Sequence, residues 1–265
     1  MSTAPAHTLT LVTDWHNDDF YTGMLLGRLM QVVPDMRVVP ISHRIALHNH
    51  MQAAFVMRSC FQSFALGTVH LCMVGSDTHP SRQMLLVELE GHLLIVPDNG
   101  MAGLLSEAEP SRVYAFAMAE EGSFAALDCV AGIVGAIAGG KLEQLPTTER
   151  YARSTSIAPA RDEQRIQGSV IYIDSYGNAI TNISRELVEQ LGRGRPFEVS
   201  TLRYSQRVLF EQSYHRADDG ELIALFNSVG LLEIAIKLSS YATVHNIGIG
   251  ETVVVRFLNN DLELK

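Results

Sequence analysis

Asp14, His16, Asp18 and Asp19 put three carboxylates and an imidazole within one six-residue stretch, and Asn17 stands among them. Such groups are costly to bury without partners, so they read as facing a cleft. A plainer reading also stands: a turn and helix start, with Asp18 or Asp19 accepting from free backbone N–H groups. Three further loops in the first half carry similar side chains: His43–Asn49, Gly75–Arg82 and Asp98–Asn99. The second half adds Asp174-Ser175-Tyr176-Gly177-Asn178 and Asn227-Ser228. Aspartates hold ribose hydroxyls, asparagine amides read an adenine edge and a tyrosine stacks on a base, so the inventory suits a nucleoside. A phosphate ester fits less well. No glycine-rich phosphate loop is present, and acidic surroundings repel phosphate.

Each motif has a structural alternative. Asp98-Asn99-Gly100 is an ordinary turn signal, and Tyr176-Gly177-Asn178 also reads as a hairpin turn with a bulge. His43 and His70 read as satisfied structural residues, and Arg82 as a solvated surface charge.

These loops are positioned by an α/β pattern. Residues 8–13 read as a first strand, followed by helical spacing of Met24, Leu25, Leu26, Leu29 and Met30 from Tyr21 to Val33. Met36–Ile41 reads as a second buried strand, and Asn49–Phe64 as a helix. Thr68–Val74, Met84–Glu88, Leu93–Val96 and Val113–Phe116 read as strands, and Cys129–Ala138 as a small-residue helix stopped by Gly139-Gly140. Strands alternating with helices predict a mainly parallel sheet covered on both faces, whose ligand loops share the edge at the strands' carboxyl ends. Periodicity breaks down over residues 142–168. Beyond it, Ser169–Ile173, Ala179–Ile183, Phe197–Leu202, Gln206–Phe210, Leu222–Phe226 and Thr252–Phe257 predict a small antiparallel β-barrel or sandwich with one or two short helices. The expected division is an α/β domain over 1–160 and a β-barrel domain over 161–265.

The chain has 265 residues and a net charge of −9, which argues against nucleic acid or an anionic membrane as the main partner. Three dispersed cysteines, Cys60, Cys72 and Cys129, fit reduced core thiols better than disulfides or a zinc site. No signal-peptide pattern and no bilayer-length apolar run is seen, so a cytoplasmic location is expected.

The order of these pieces resembles the S-adenosyl-L-methionine hydroxide adenosyltransferases, a former domain-of-unknown-function group that also contains the fluorinases and chlorinases. The matching pieces are Thr13-Asp14 with Asp19, Ile41-Ser42-His43 with Ala53-Ala54-Phe55, and Gly67-Thr68-Val69. Pro97-Asp98-Asn99-Gly100 follows, then Tyr172-Ile173-Asp174 with Tyr176-Gly177-Asn178, Thr181-Asn182-Ile183, and Ser228 with Gly230 and Leu232-Glu233-Ile234-Ala235. The resemblance implies an N-terminal α/β domain and a C-terminal β-barrel. It also implies a homotrimer with sites between subunits, and cleavage of S-adenosyl-L-methionine at the ribose 5′ carbon by water or halide. No cofactor or metal is implied. Carried over by position, Asp14 holds the ribose diol, Asp19 and Tyr21 shape the neighbouring pocket, and His48 takes the place of an aromatic ring over the sugar. Asp174, Tyr176 and Asn178 match the methionine- and adenine-contacting segment, Ser228 matches a methionine-binding serine, and Thr78 falls near a halide-contacting threonine.

The chain departs from the family where water is handled. Water-using members carry an aspartate, an arginine seven residues later and a later histidine; here these positions are Gly75, Arg82 and Ala125. Asp77 and His79 are the nearby substitutes, so the candidate catalytic set is Arg82, Asp77 and His79. The leading expectation is hydrolysis to adenosine and methionine. The alternatives are a catalytically impaired protein that binds S-adenosyl-L-methionine or adenosine, a halide-dependent adenosyl-halide synthase, and a calcium-dependent nucleoside hydrolase suggested by the acids of Asp14–Asp19.

Overall fold

Thr8–Thr13 (β1) places five consecutive buried residues in the middle of a sheet, as a strand covered on both faces must. The computed structural model describes residues 8–16, 19–122, 124–201 and 206–258; Asn17, Asp18 and Ser123 lie outside the described residues. The chain divides into two compact units, with the division between Ser156 and Ile157.

In the first unit β1 is followed by a helix, Phe20–Val32 (α1), capped by Asp19, whose side chain accepts from the Tyr21 backbone N–H. Next come Arg37–Ser42 (β2), His50–Arg58 (α2), Val69–Met73 (β3), Gln83–Leu89 (β4), His92–Pro97 (β5), Arg112–Ala117 (β6) and Ala125–Ala138 (α3). The sheet order is β2-β1-β3-β5-β4-β6. The first four strands run parallel, and β4 is antiparallel to both neighbours. The pleat sends alternate residues to opposite cores. Leu9, Leu11, Leu71 and Met73 join Leu25, Leu29 and Ile133 on one face; Val12, Cys72 and Val74 join Ala53, Ala54 and Met57 on the other.

Three readings from sequence need correction. The second strand is not buried: β2 is an edge strand without a single fully buried residue. Its Pro40 explains why, since a residue without an N–H is tolerated where no ladder bond is missed. The α2 helix ends at Arg58, and Phe61–Ser63 forms a separate 3₁₀ turn. Helix α3 begins four residues early, at Ala125, because its first turn is packed by Ala125, Ala126 and Leu127.

The second unit contains Ala160–Arg161 (β7), Arg165–Ile173 (β8), Ala179–Ser184 (β9), Arg185–Gly192 (α4), Phe197–Thr201 (β10), Gln206–Phe210 (β11), Leu222–Phe226 (β12), Leu231–Ile236 (β13), Tyr241–Val244 (α5) and Thr252–Phe257 (β14). The pairings run β14-β10-β11-β12-β13-β9-β8, and β8 returns to β14, so seven strands close a barrel. Closure removes the exposed edges of the sheet. All these pairings are antiparallel except β11–β12. Strand β13 has no counterpart among the strands expected from sequence. Its run Leu-Leu-Glu-Ile-Ala-Ile is buried throughout, with Glu233 held inside the wall. No helix among the described residues is long and apolar enough to cross a membrane.

Candidate functional site

In the first unit, β1, β2 and β3 end side by side, and their loops meet over the carboxyl edge of the sheet. Asp14 lies at the centre, 4% exposed. Its Oδ2 accepts from the His48 backbone N–H at 2.9 Å and from the Gly75 N–H at 3.3 Å. Oδ1 takes neither bond. A buried carboxylate that receives two N–H groups is fixed in orientation. Thr13 supports the same corner: its hydroxyl meets His43 Nδ1 at 2.9 Å, and the His16 N–H donates to the His43 carbonyl. His43 therefore packs as a satisfied residue, and burial lowers its pKa.

A cleft of about 280 Å³ opens beside Asp14, lined by Asp19, Tyr21, His48, Gly75, Asp77 and Thr78 among others. Thr78 donates from its hydroxyl to the Gly75 carbonyl at 3.1 Å, and the Ser76 hydroxyl meets Asp77 Oδ2 at 3.2 Å. The other oxygen of Asp77 is buried and makes no hydrogen bond. Trp15, the only tryptophan in the chain, and Phe124 also line the cleft. Together with Tyr21 they form one aromatic wall, with ring centroids 5.2 Å apart for Trp15–Phe124 and 4.8 Å for Tyr21–Phe124. Phe124 is not among the site residues expected from sequence. It reaches the cleft only because α3 starts early.

Two of the three catalytic candidates stand apart. His79 and Arg82 are not among the residues lining the cleft. His79 Nδ1 lies 3.0 Å from the Ser81 hydroxyl, which donates to the Asp98 carbonyl. Arg82 donates through Nη2 to the Ala119 carbonyl, while its buried Nε has no partner. Asp98 and Asn99 also serve the scaffold: Asp98 Oδ1 accepts from the Ala152 N–H at 2.7 Å, and Asn99 Oδ1 accepts from the Met101 N–H.

The second unit holds a larger cavity of about 980 Å³, lined by Asp174, Tyr176, Asn178, Tyr214, Ser228 and Glu233 among others. Asp174 organises the β8–β9 turn. Its Oδ1 accepts from the backbone N–H groups of Tyr176 and Asn178, both at 2.9 Å, and its Oδ2 accepts from the Asn178 amide at 3.0 Å. Gly177 crosses the turn at φ +81°, and a β-carbon there would lie 2.8 Å from Ser240 Cβ. The turn leaves Tyr176 exposed and Asn178 buried. Ser228 is exposed on the next loop. Behind them stands a polar wall of Tyr214, Asn227 and Glu233, of which Tyr214 falls in none of the sequence motifs. The Tyr214 hydroxyl donates to Glu233 Oε1, and the Asn227 amide donates to Oε2 at 3.2 Å. Burial pushes the Glu233 carboxyl up from its ordinary value, and burial beside Glu233 also pushes the Tyr214 phenol up. Among the described residues, no group of three or more His, Cys, Asp or Glu side chains is placed to hold a metal ion.

Comparison with known proteins covers most of the chain. Residues 9–145 match the model of the SAM hydroxide adenosyltransferase N-terminal domain, and residues 168–254 that of the C-terminal domain. A protein of Methanocaldococcus jannaschii named (R)-S-adenosyl-L-methionine hydrolase is 24% identical over 261 residues, covering 90% of this chain and 92% of the relative. A protein of the same name from Thermus thermophilus is 24% identical over 262 residues, covering 93% and 98%. In fold, the chain is similar to the crystal structure of an uncharacterized conserved protein from Thermotoga maritima, with a TM-score of 0.84 at 22% identity, covering 94% of this chain and 99% of the other. A conserved hypothetical protein from Thermus thermophilus gives a TM-score of 0.73 at 23% identity, covering 95% of this chain and 100% of the other.

Proposed function

The chain belongs to the SAM hydroxide adenosyltransferase family, and on that premise we propose that it hydrolyses S-adenosyl-L-methionine at the ribose 5′ carbon, releasing adenosine and methionine. The observation that carries this reading is Asp14, a buried carboxylate with one oxygen held by two backbone N–H groups and the other outside those bonds. That is how an acceptor for a vicinal diol is made rigid. In this reading Asp14 holds the ribose, Asp19 and Tyr21 bound the pocket, and His48 and Thr78 flank the sugar. Asp174, Tyr176, Asn178 and Ser228 serve the base and the methionine part, with the composite site completed in a homotrimer. An acidic cleft suits a cationic sulfonium substrate. The sulfonium is already a good leaving group, so catalysis is mostly a matter of aligning water behind the C–S bond.

Asp77, on the cleft wall, is the carboxylate that orients this water. Arg82 and His79 act through the loop: their bonds to Ala119 and Ser81 fix the path of residues 75–82. That same placement favours a second reading, a protein that binds S-adenosyl-L-methionine without turning it over. Incubation with S-adenosyl-L-methionine, with and without chloride, followed by chromatography separates the possibilities. Hydrolysis yields adenosine in both samples, a halide reaction yields chloro-adenosine only with chloride, and a binder yields neither.

A further inference from the structure

His48 carries a feature that ribose packing alone does not require. It is a non-glycine residue at φ +60°, and the backbone that faces it, Gly75, also has φ +60°. Both N–H groups end on Asp14 Oδ2, so the two left-handed residues are clamped side by side. Left-handed conformations in residues with a side chain persist where the surroundings over-determine them, and they concentrate at functional sites. A β-carbon on Gly75 would lie 3.6 Å from His48 Nδ1. Glycine at this position therefore leaves one flank of the imidazole open to the cleft. His16, the other imidazole lining this cleft among the described residues, is also left-handed, at φ +59°, but its N–H donates to the His43 carbonyl and not to Asp14.

We propose that His48 is the proton acceptor for the attacking water, an assignment that rests on the hydrolysis reading above. The water oxygen forms a bond to the ribose 5′ carbon as the C–S bond breaks. The bonding pair leaves on sulfur, which becomes the neutral thioether of methionine. The water proton passes to the imidazole and then to solvent. The charged groups that line the cleft with His48 are Asp14 at the end of β1, Asp19 at the start of α1 and Asp77 after β3, with His16 as the other titratable group there. These three acids give the cleft wall its negative charge. Arg82 is turned away to Ala119 and does not oppose it.

The test compares wild type, His48→Gln and His48→Phe for S-adenosyl-L-methionine turnover from about pH 5 to about pH 9, the range in which imidazoles titrate. Calorimetry of adenosine binding runs in parallel, to show that each variant still folds and binds. The proposal predicts kcat at least about 100-fold lower in both variants with KM changed much less, and loss of the acid limb of the wild-type rate profile. His48→Gln with wild-type kcat and an unchanged acid limb overturns the assignment while leaving hydrolysis intact. A wild type that binds but never turns over overturns the hydrolysis reading, and this assignment with it.

Discussion

The backbone N–H of His48 donates to Asp14 Oδ2 at 2.9 Å, so the carboxylate assigned to ribose also fixes the residue assigned to the proton. Asp14→Asn keeps an acceptor for His48 and Gly75 but presents a neutral amide to the cleft. Adenosine affinity is expected to fall roughly 10- to 100-fold, the worth of a charged hydrogen bond. Asp14→Ala strips both N–H groups of their acceptor and is expected to lower stability by about 1–3 kcal/mol as well. Calorimetry and denaturant unfolding read the two effects. An Asn variant with unchanged affinity contradicts the ribose role.

Gly75→Asp is expected to move the acid limb of the rate profile to higher pH. The new β-carbon meets Thr78 and His48 at 3.5–3.6 Å, ordinary contact distances, and aspartate tolerates positive φ better than most residues. Its carboxylate would stand beside the imidazole and favour the charged form. A pH–rate series checks this, and an unmoved limb counts against His48 as the acceptor.

The amino-acid sequence makes only part of the site legible, for physical reasons. Loops at parallel strand ends share one edge, so strand order alone is enough to bring Asp14, His48 and Asp77 together. Composition does not distinguish the cleft-lining Asp77 from His79 and Arg82, which the loop turns elsewhere. Strand β13 is hidden because Glu233 interrupts its apolar run, and only the partners Tyr214 and Asn227 make that carboxyl tolerable inside the wall. Phe124 meets Trp15 only through tertiary packing, to which local periodicity is blind.

Tyr214→Phe should destabilise the barrel unit in a pH-dependent way. Burial raises the Glu233 carboxyl above its unfolded value, and the Tyr214 hydroxyl works against that rise. A carboxyl raised by folding contributes fully below its unfolded pKa, about 4.3, and loses that contribution as pH rises through the folded value. Removing the hydroxyl deepens the loss. The variant's deficit is expected to be about 1–2 kcal/mol larger near pH 8 than near pH 5, read from urea midpoints. Equal deficits would show that the hydroxyl does not stabilise the ionised carboxyl.

The first unit contains a buried ladder in which the Thr10 hydroxyl meets His70 Nδ1 at 2.8 Å and His70 Nε2 meets His92 Nδ1 at 3.2 Å. Burial and the neighbouring His92 lower His70 to about 4, and burial lowers His92 as well. Protons therefore bind the unfolded chain first. Stability is complete above the unfolded histidine value of about 6.5 and drains as pH falls towards about 4, by up to about 3 kcal/mol. His70→Gln should flatten this slope in a series of denaturation midpoints. A variant with the wild-type slope would place the acid sensitivity elsewhere.

The central claim is that water attacks the ribose carbon. Turnover in oxygen-18 water, followed by mass spectrometry of both products, tests it most directly. The account predicts one heavy oxygen on the 5′ hydroxyl of adenosine and none in methionine. Label in the amino-acid product, or no product from a protein that binds S-adenosyl-L-methionine tightly, would contradict it.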